Sequence, residues 1–191
     1  MIITISGTPG SGKSTVAKIL VEKLNLERIY VGGIRRDLAK SKNMTLEELN
    51  QYALNHPETD VDVDKEAAKR AKELNKSNKD VIVEGRVQFH FIPESIKIYI
   101  KVDFEEGAKR IWEQIKNIDE KNKRNEDKIN SIEEMKNSLI KRMENDKQRY
   151  LKYYNVDCYD ENNYDLIIDS TNISQEEVAN KIMDFIKTFN Q

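Results

Sequence analysis

Residues 2–15 read Ile2-Ile3-Thr4-Ile5-Ser6-Gly7-Thr8-Pro9-Gly10-Ser11-Gly12-Lys13-Ser14-Thr15, and this stretch decides the fold. Its last part matches the pattern G-x-x-x-x-G-K-[ST] in full, directly after a short apolar run. A buried strand, a glycine-rich turn and a helical pattern over residues 13–24 are the context that this motif requires. The glycines let backbone N–H groups surround a phosphate, and the following helix directs its positive end to the same place. The stretch therefore predicts a binding site for a nucleoside triphosphate.

Two side chains of this loop carry distinct chemistry. Lys13 can reach the β- and γ-phosphates, and the hydroxyl of Ser14 can bind Mg²⁺. A glycine-rich turn formed by chance is the plainer alternative, but it does not account for the Lys-Ser pair after a strand. The expected nucleotide-binding set is Gly7, Thr8, Pro9, Gly10, Ser11, Gly12, Lys13, Ser14 and Thr15.

Composition describes a soluble globular protein. The 191 residues are 38% hydrophobic and 35% charged, which suits one domain with a proper core. No apolar stretch approaches the length of a membrane span, and no secretory signal pattern is present. The net charge of −2 predicts no general attraction to nucleic acid. The single cysteine, Cys158, indicates a passive reduced thiol, so we expect a cytoplasmic protein. We also expect a monomer.

Alternating strand and helix patterns predict an α/β fold, a three-layer sandwich with a five-stranded parallel sheet between helices. The predicted strands span residues 2–6, 28–31, 80–84, 97–102 and 164–169. The predicted helices span residues 13–24, 33–42, 45–54, 62–77, 104–117, 131–153 and 174–189. Thr45 and Ser174 begin two of these helices with the capping-box pattern.

The chain, residues 1–191, is predicted to be a single domain with two additions to the sheet. Residues 33–77 hold about three helices between the second and third strands, more than one crossover needs. Residues 105–150 are expected to form a lid, which contains a polar, apolar-poor stretch at 117–131 that reads as an exposed loop.

The rest of the sequence favours a kinase of small molecules over a GTPase. No D-x-x-G is present, and Asn75-Lys76-Ser77-Asn78 lacks the aspartate of the guanine-binding N-K-x-D. A kinase must hold two anionic substrates and exclude water, for which a helical insertion and a lid are suited. The open alternatives are a kinase for AMP, dephospho-coenzyme A or a non-nucleotide acceptor, or a module that binds ATP without turnover.

Several stretches in order resemble the nucleoside monophosphate kinases, most closely the short archaeal-type cytidylate kinases. They are residues 2–15, residues 32–39 with 44–48, Val83-Glu84-Gly85-Arg86, the segment around Arg142, Asp146 and Arg149, and residues 164–174. The chain departs from that family at Gly33, at Gln114 and in residues 87–90, which follow Arg86. The resemblance implies transfer of a phosphoryl group from ATP to CMP or dCMP, with Mg²⁺.

Cations should converge on the transferred group, because phosphoryl transfer depends on positioning and charge neutralisation. Arg86 follows a buried strand, at the edge where ligands bind parallel sheets, which favours a contact with substrate; the alternative is a structural ion pair with Glu84 or another acid. Glu84 ends the same strand and could bind Mg²⁺ through water, or hold Arg86 or Lys13.

The resemblance supplies the other roles. It implies that Arg36 and Arg86 bind the acceptor phosphate, with Asp64 near the acceptor. Arg35, next to Arg36 in the chain, is expected at the surface, although the two arginines could share the task. It places Arg110, Arg142 and Arg149 in the lid as catalytic cations beside Lys13.

Overall fold

The computed structural model describes residues 1–116 and 129–189, so most of the predicted loop at 117–131 lies outside the described residues. Within them, five strands form one sheet in the order β2-β3-β1-β4-β5, and every pairing is parallel. The strands are β1 (Ile2–Gly7), β2 (Glu27–Tyr30), β3 (Val81–Glu84), β4 (Ile96–Lys101) and β5 (Leu166–Asp169). The predicted α/β fold with a five-stranded parallel sheet is confirmed.

Eight α-helices occur in the described part of the chain. They are α1 (Lys13–Leu24), α2 (Val31–Ser41), α3 (Leu46–Ala53), α4 (Glu58–Lys76), α5 (Gln88–Phe91), α6 (Phe104–Ile115), α7 (Ile132–Tyr154) and α8 (Gln175–Phe189). The three helices expected between β2 and β3 are present as α2, α3 and α4. The short α5 was not predicted, and α4 begins at Glu58 rather than residue 62 because Pro57 can occupy a helix start.

Hydrogen bonds at the helix starts confirm the capping predictions. The Glu48 N–H donates to the Thr45 hydroxyl at 3.2 Å, and the Thr45 N–H donates to the Glu48 carboxylate at 2.7 Å. The Ser174 and Glu177 pair makes the same two bonds, at 3.2 and 2.8 Å respectively. These bonds satisfy backbone donors that a helix start would otherwise leave without partners.

Every residue of β1 is buried, which shows that the core lies on both faces of the sheet. Ile3 and Ile5 face α1 and α8, whereas Ile2 faces the other side, toward the alanines of α4. This alternation is the period of two of a strand. Each such isoleucine contributes roughly 1.5–3 kcal/mol by its burial. Among the described residues, no helix combines the length and apolar character needed to cross a membrane.

The sheet order places the candidate site at the carboxyl end of β1. The chain passes from β1 to β2 and β3 on one side and to β4 and β5 on the other. In register, Ile5 pairs with Glu84 of β3 and Gly7 pairs with Ile100 of β4. Open parallel sheets bind ligands in the crevice where the strand order reverses, so the glycine-rich loop and the end of β3 meet at one site.

Candidate active site

The glycine-rich loop is held in a shape that only glycine permits at two positions. Gly10 and Gly12 have φ values of 79° and 80°, in the left-handed region. A Cβ on Gly10 would lie 2.4 Å from the carbonyl oxygen of Gly107, so the loop packs directly against the backbone of α6. The Thr8 hydroxyl accepts a bond of 3.1 Å from the Val102 N–H. The loop is therefore fixed between β4 and α6 before any phosphate binds.

Lys13 lies in a cleft that is also lined by arginines from several other parts of the chain. Burial lowers the pKa of its ammonium well below the ordinary lysine value, and Arg86, Arg142 and Arg36 act in the same direction. Glu84 opposes them. Positive charges gathered in this way repel one another, and an anion placed among them would relieve the repulsion. Lys13 is thus the centre of a site built for phosphate groups.

Glu84 connects this site to the sheet. Its side chain is 1% exposed, and one carboxylate oxygen accepts a hydrogen bond from the Ser14 hydroxyl. The other oxygen forms an ion pair with Arg28, from the neighbouring strand β2. The two side chains expected at the metal are therefore in direct contact. Arg28 was not predicted, since nothing near it in the sequence marks it.

Arg86 lines the cleft, and its guanidinium is fixed by contacts with the surrounding protein. Its Nε donates to Asp146 at 3.0 Å, and its guanidinium also donates to the carbonyl of Gly7. The guanidinium carbon lies 5.6 Å from the centre of the Tyr159 ring. Burial raises the pKa of Asp146, but Arg86 and Arg149 outweigh it and hold that pKa at about 2. The ion pair that was the alternative reading of Arg86 is therefore present, with Asp146 as the acid, and Arg86 also lines the cleft.

Arg149 does not line the cleft, although the sequence placed it among the lid cations. Its side chain is fully buried on α7. It donates to Asn145 at 2.6 Å and to Asp146 at 2.6 Å, and it forms an ion pair with Asp60 of α4. Of these partners, Asp146 lines the cleft, whereas Asn145 and Asp60 do not contribute to its lining. Arg149 therefore fixes the side chains of Asn145, Asp146 and Asp60 by its hydrogen bonds and ion pairs.

The prediction that Arg35 is a surface residue was wrong. Arg35 is 8% exposed and forms an ion pair with Asp60. It also donates to Asn50 at 2.9 Å and to the carbonyl of Thr59 at 3.2 Å. Asp60, which is 1% exposed, thus lies between Arg35 and Arg149 and joins the insertion to α7.

Asp64, expected near the acceptor, lies one helical turn beyond Asp60 and contacts a different set of residues. It accepts bonds from Gln88 at 2.8 Å and from the Tyr154 hydroxyl at 3.0 Å. Burial raises the pKa of its carboxyl to about 6, although Arg35 acts in the opposite direction. Asp64 does not contribute to the lining of the main cleft. On α4 it is Asp60, one turn before Asp64, that forms the ion pairs with Arg35 and Arg149.

Arg36 faces the cleft from the start of α2. Its Nη1 donates to the Tyr30 hydroxyl at 2.7 Å and to the carbonyl of Gly32 at 2.9 Å. The Tyr30 ring also explains the departure at Gly33, because a Cβ there would lie 2.7 Å from the ring. Tyr30, a residue not singled out from the sequence, therefore positions Arg36 and excludes a side chain at residue 33.

Arg110 lines the cleft on the side of the last loop. Its Nε donates to Glu106 at 2.8 Å, and its Nη2 donates to the carbonyls of Ser170 and Thr171 at 3.0 and 2.9 Å. Gln114, one turn further along α6, lines the same wall. Arg110 thus ties α6 to the loop that precedes α8.

These residues enclose an open cleft of about 2860 Å³, part of which is continuous with solvent. Among the described residues that line it, the cations outnumber the acids two to one. The cations are Lys13, Lys18, Arg28, Arg35, Arg36, Arg86, Arg110 and Arg142, and the acids are Asp37, Glu84, Glu113 and Asp146. A cleft with this balance attracts and holds polyanions such as nucleotides. Cys158 lies apart from it as a buried free thiol whose pKa is raised by burial.

Comparisons with known proteins agree with this geometry. Residues 3–131 match the family described as AAA domain. The chain is 39% identical to a cytidylate kinase of Archaeoglobus fulgidus, over 96% of this chain and 93% of that protein. It is 35% identical to one of Methanocaldococcus jannaschii, over 94% of each. A crystal structure of an uncharacterized protein from Eubacterium ventriosum matches 98% of both chains with a TM-score of 0.66, and at 19% identity it supports the fold alone. The chain belongs to the ATP-binding P-loop kinases and, within them, to the cytidylate kinase family.

Proposed function

We propose that this protein transfers the γ-phosphoryl group of ATP to CMP or dCMP and releases ADP and the corresponding diphosphate. The observation that carries the proposal is that Arg36, Arg86 and Arg142 line one cleft together with Lys13. These cations come from α2, the end of β3 and α7, so the insertion and the lid both supply charge to the phosphate loop. A module that only bound ATP would not need cations from all three.

The roles follow from position. The loop from Gly7 to Thr15 would surround the phosphates of ATP with backbone N–H groups at the N-terminus of α1. Lys13 would hold the β- and γ-phosphates, and Arg36, Arg86 and Arg142 would hold the acceptor phosphate in line with them. Arg110, bound to the carbonyls of Ser170 and Thr171, would shape the ATP side of the cleft.

Ser14 and Glu84 fit Mg²⁺. A hydroxyl and a carboxylate are the hard oxygen ligands that this ion takes, and the two side chains are already in contact. Glu84 is shared with Arg28, so we place it in the outer shell, reaching the ion through water. When bound, the ion would neutralise charge on the phosphate oxygens.

The proposal is tested by ADP release from ATP and Mg²⁺ with CMP, dCMP, UMP, AMP, GMP and dephospho-coenzyme A as acceptors. We expect CMP and dCMP to give the largest kcat/KM. A response confined to another acceptor, or to none, would reject the assignment.

Arg36→Ala and Arg86→Ala are the matching variants. Each should lower kcat/KM for the acceptor by at least roughly 10²-fold, because each removes a cation from the transferring centre. ATP affinity, measured by calorimetry, should change far less. Arg70→Ala, an exposed arginine on α4, is the control and should behave as the wild type. Unchanged transfer in both cleft variants would refute the acceptor-site assignment.

A further inference from the structure

Arg28 extends from β2 into the main cleft, beside the residues that fit a metal ion. In register, Arg28 pairs with Ile82, and Tyr30 pairs with Glu84, the last residue of β3. Side chains paired across neighbouring strands point to one face, and residues two apart along a strand share that face. Because Ile82 packs with the core residues of α1, all three polar side chains lie on the face of the sheet that α1 covers.

Arg28 fixes one end of the Glu84 carboxylate. One oxygen of Glu84 forms the ion pair with Nη2 of Arg28, and the other accepts the hydrogen bond from the Ser14 hydroxyl. The terminal torsion of a glutamate side chain is soft, so the carboxylate keeps one orientation best when both of its oxygens are held. Burial of a carboxylate is also costly unless a cation pairs with it. Arg28 therefore supplies Glu84 with both an orientation and a compensating charge.

Tyr30 holds Arg28 in this position. The guanidinium carbon of Arg28 lies 4.7 Å from the centre of the Tyr30 ring, within the range of a cation–π contact. The Tyr30 hydroxyl accepts the bond of 2.7 Å from Arg36, and the ring packs closely against Gly33. One aromatic side chain thus contacts the arginine on the metal side of the cleft and the arginine proposed for the acceptor phosphate.

Resting on the proposed function, we propose that Arg28 is a positioning residue for the divalent cation, which holds Glu84 against Ser14 so that both oxygen groups are in place when the ion binds. It acts through Glu84 and not by contact with a substrate. Residues that orient metal ligands in this way change the metal affinity by roughly 10- to 100-fold when they are removed. Without Arg28, Glu84 would turn toward Lys13, with which it already interacts electrostatically, and would leave Ser14.

Arg28→Met tests this role by metal affinity and not by turnover. Mn²⁺ takes the place of Mg²⁺, since both prefer oxygen ligands, and its binding to the enzyme with a non-hydrolysable ATP analogue is followed by electron paramagnetic resonance. We expect the Kd of Mn²⁺ to rise at least roughly tenfold. Arg70→Met, at an exposed position on α4, makes the same change outside the cleft and should keep the wild-type Kd.

A double-mutant cycle with Glu84→Gln separates positioning from direct contact. If Arg28 acts through Glu84, adding Arg28→Met to the Glu84→Gln variant should leave the Kd of Mn²⁺ unchanged. An equal loss of affinity in both backgrounds would show that Arg28 contacts the nucleotide or the ion, and would overturn the proposal, as would a wild-type Kd in Arg28→Met. The comparison of Glu84→Gln with the double variant decides the question even where Arg28→Met alone fails to fold, because the double variant leaves neither charge buried without its partner.

Two variants of Tyr30 test the support of Arg28. Tyr30→Phe keeps the ring and removes the hydroxyl, so the Kd of Mn²⁺ should match the wild type while the KM for CMP rises. Tyr30→Leu also removes the ring, and the Kd of Mn²⁺ should then rise by roughly threefold. A wild-type Kd in Tyr30→Leu would show that the ring does not hold Arg28. Mn²⁺ binding is measured without an acceptor, so a wild type that failed to phosphorylate CMP would reject the proposed function without altering the outcome of the cycle.

Discussion

Asp60→Asn tests the buried ion pairs that join the insertion to α7. Asp60 is 1% exposed and lies between Arg35 and Arg149, which are 8% and 0% exposed. Asparagine has almost the same shape, so the variant removes charge without leaving a cavity. Its NH₂ must also face one of the two guanidinium groups, donor against donor.

The expected loss in the free energy of unfolding depends on which arginine charges stay buried without a partner. Removing one member of a buried ion pair costs about 3–5 kcal/mol, because the other charge is left uncompensated. Arg149 retains Asp146 as a partner at 2.6 Å, which places the expected loss near the lower end, at about 3 kcal/mol. For a chain of this size that corresponds to a fall in Tm of roughly 6–12 °C.

Urea unfolding followed by circular dichroism measures this loss. Asp62→Asn, two residues along the same helix and exposed, is the matched control and should stay within about 0.5 kcal/mol of the wild type. If Asp60→Asn and Asp62→Asn unfold within 1 kcal/mol of each other, on the order of the usual surface effect, then the ion pairs do not hold the two segments together.

Two further predictions concern the loop and a titrating carboxyl. Gly107→Ala would place a Cβ 2.8 Å from the carbonyl oxygen of Pro9 and 2.9 Å from Val102, so the phosphate loop must shift. We expect ATP affinity by calorimetry to fall at least roughly tenfold, and unchanged affinity would contradict the packing. Asp64 has a pKa of about 6, above its unfolded value of 3.8, so its stabilising contribution is complete below about pH 4 and is lost as pH rises through 6. The stability of Asp64→Asn relative to wild type should therefore rise by up to about 3 kcal/mol between pH 4 and pH 8, whereas a flat difference would refute the shifted pKa.

The sequence was informative where the signal is local. The first helix was predicted at residues 13–24 and observed at Lys13–Leu24, because the glycine turn and the periodicity lie next to each other in the chain. The strands were found for the same reason, since short runs of β-branched residues between turns suit a buried parallel sheet. Motif and fold were therefore accessible without contacts between distant residues.

The positions of the arginines could not be predicted from local sequence patterns in the same way. Arg35 and Arg36 are neighbours, and a helix turns about 100° per residue, so they must face different surroundings. Arg35 forms an ion pair with the buried Asp60, whereas Arg36 faces the cleft. The position of Arg36 therefore agrees with the prediction, and that of Arg35 does not. The acid that decides this comes from another helix, so no local pattern could have shown it.

The contacts of α7 also limit how a lid over residues 105–150 could move. Its first half packs against α6 through Met135 and Leu139. Its second half is bound to the insertion through Arg149 and Asp60. A rigid swing of the whole segment would have to break that buried pair, at about 3–5 kcal/mol, and the Asp60→Asn variant measures how firmly it is held. The start of α7 is therefore held by α6 and its end by the insertion. Arg142 lies between these two anchored parts of the same helix and lines the cleft with Lys13, so its position depends on both contacts.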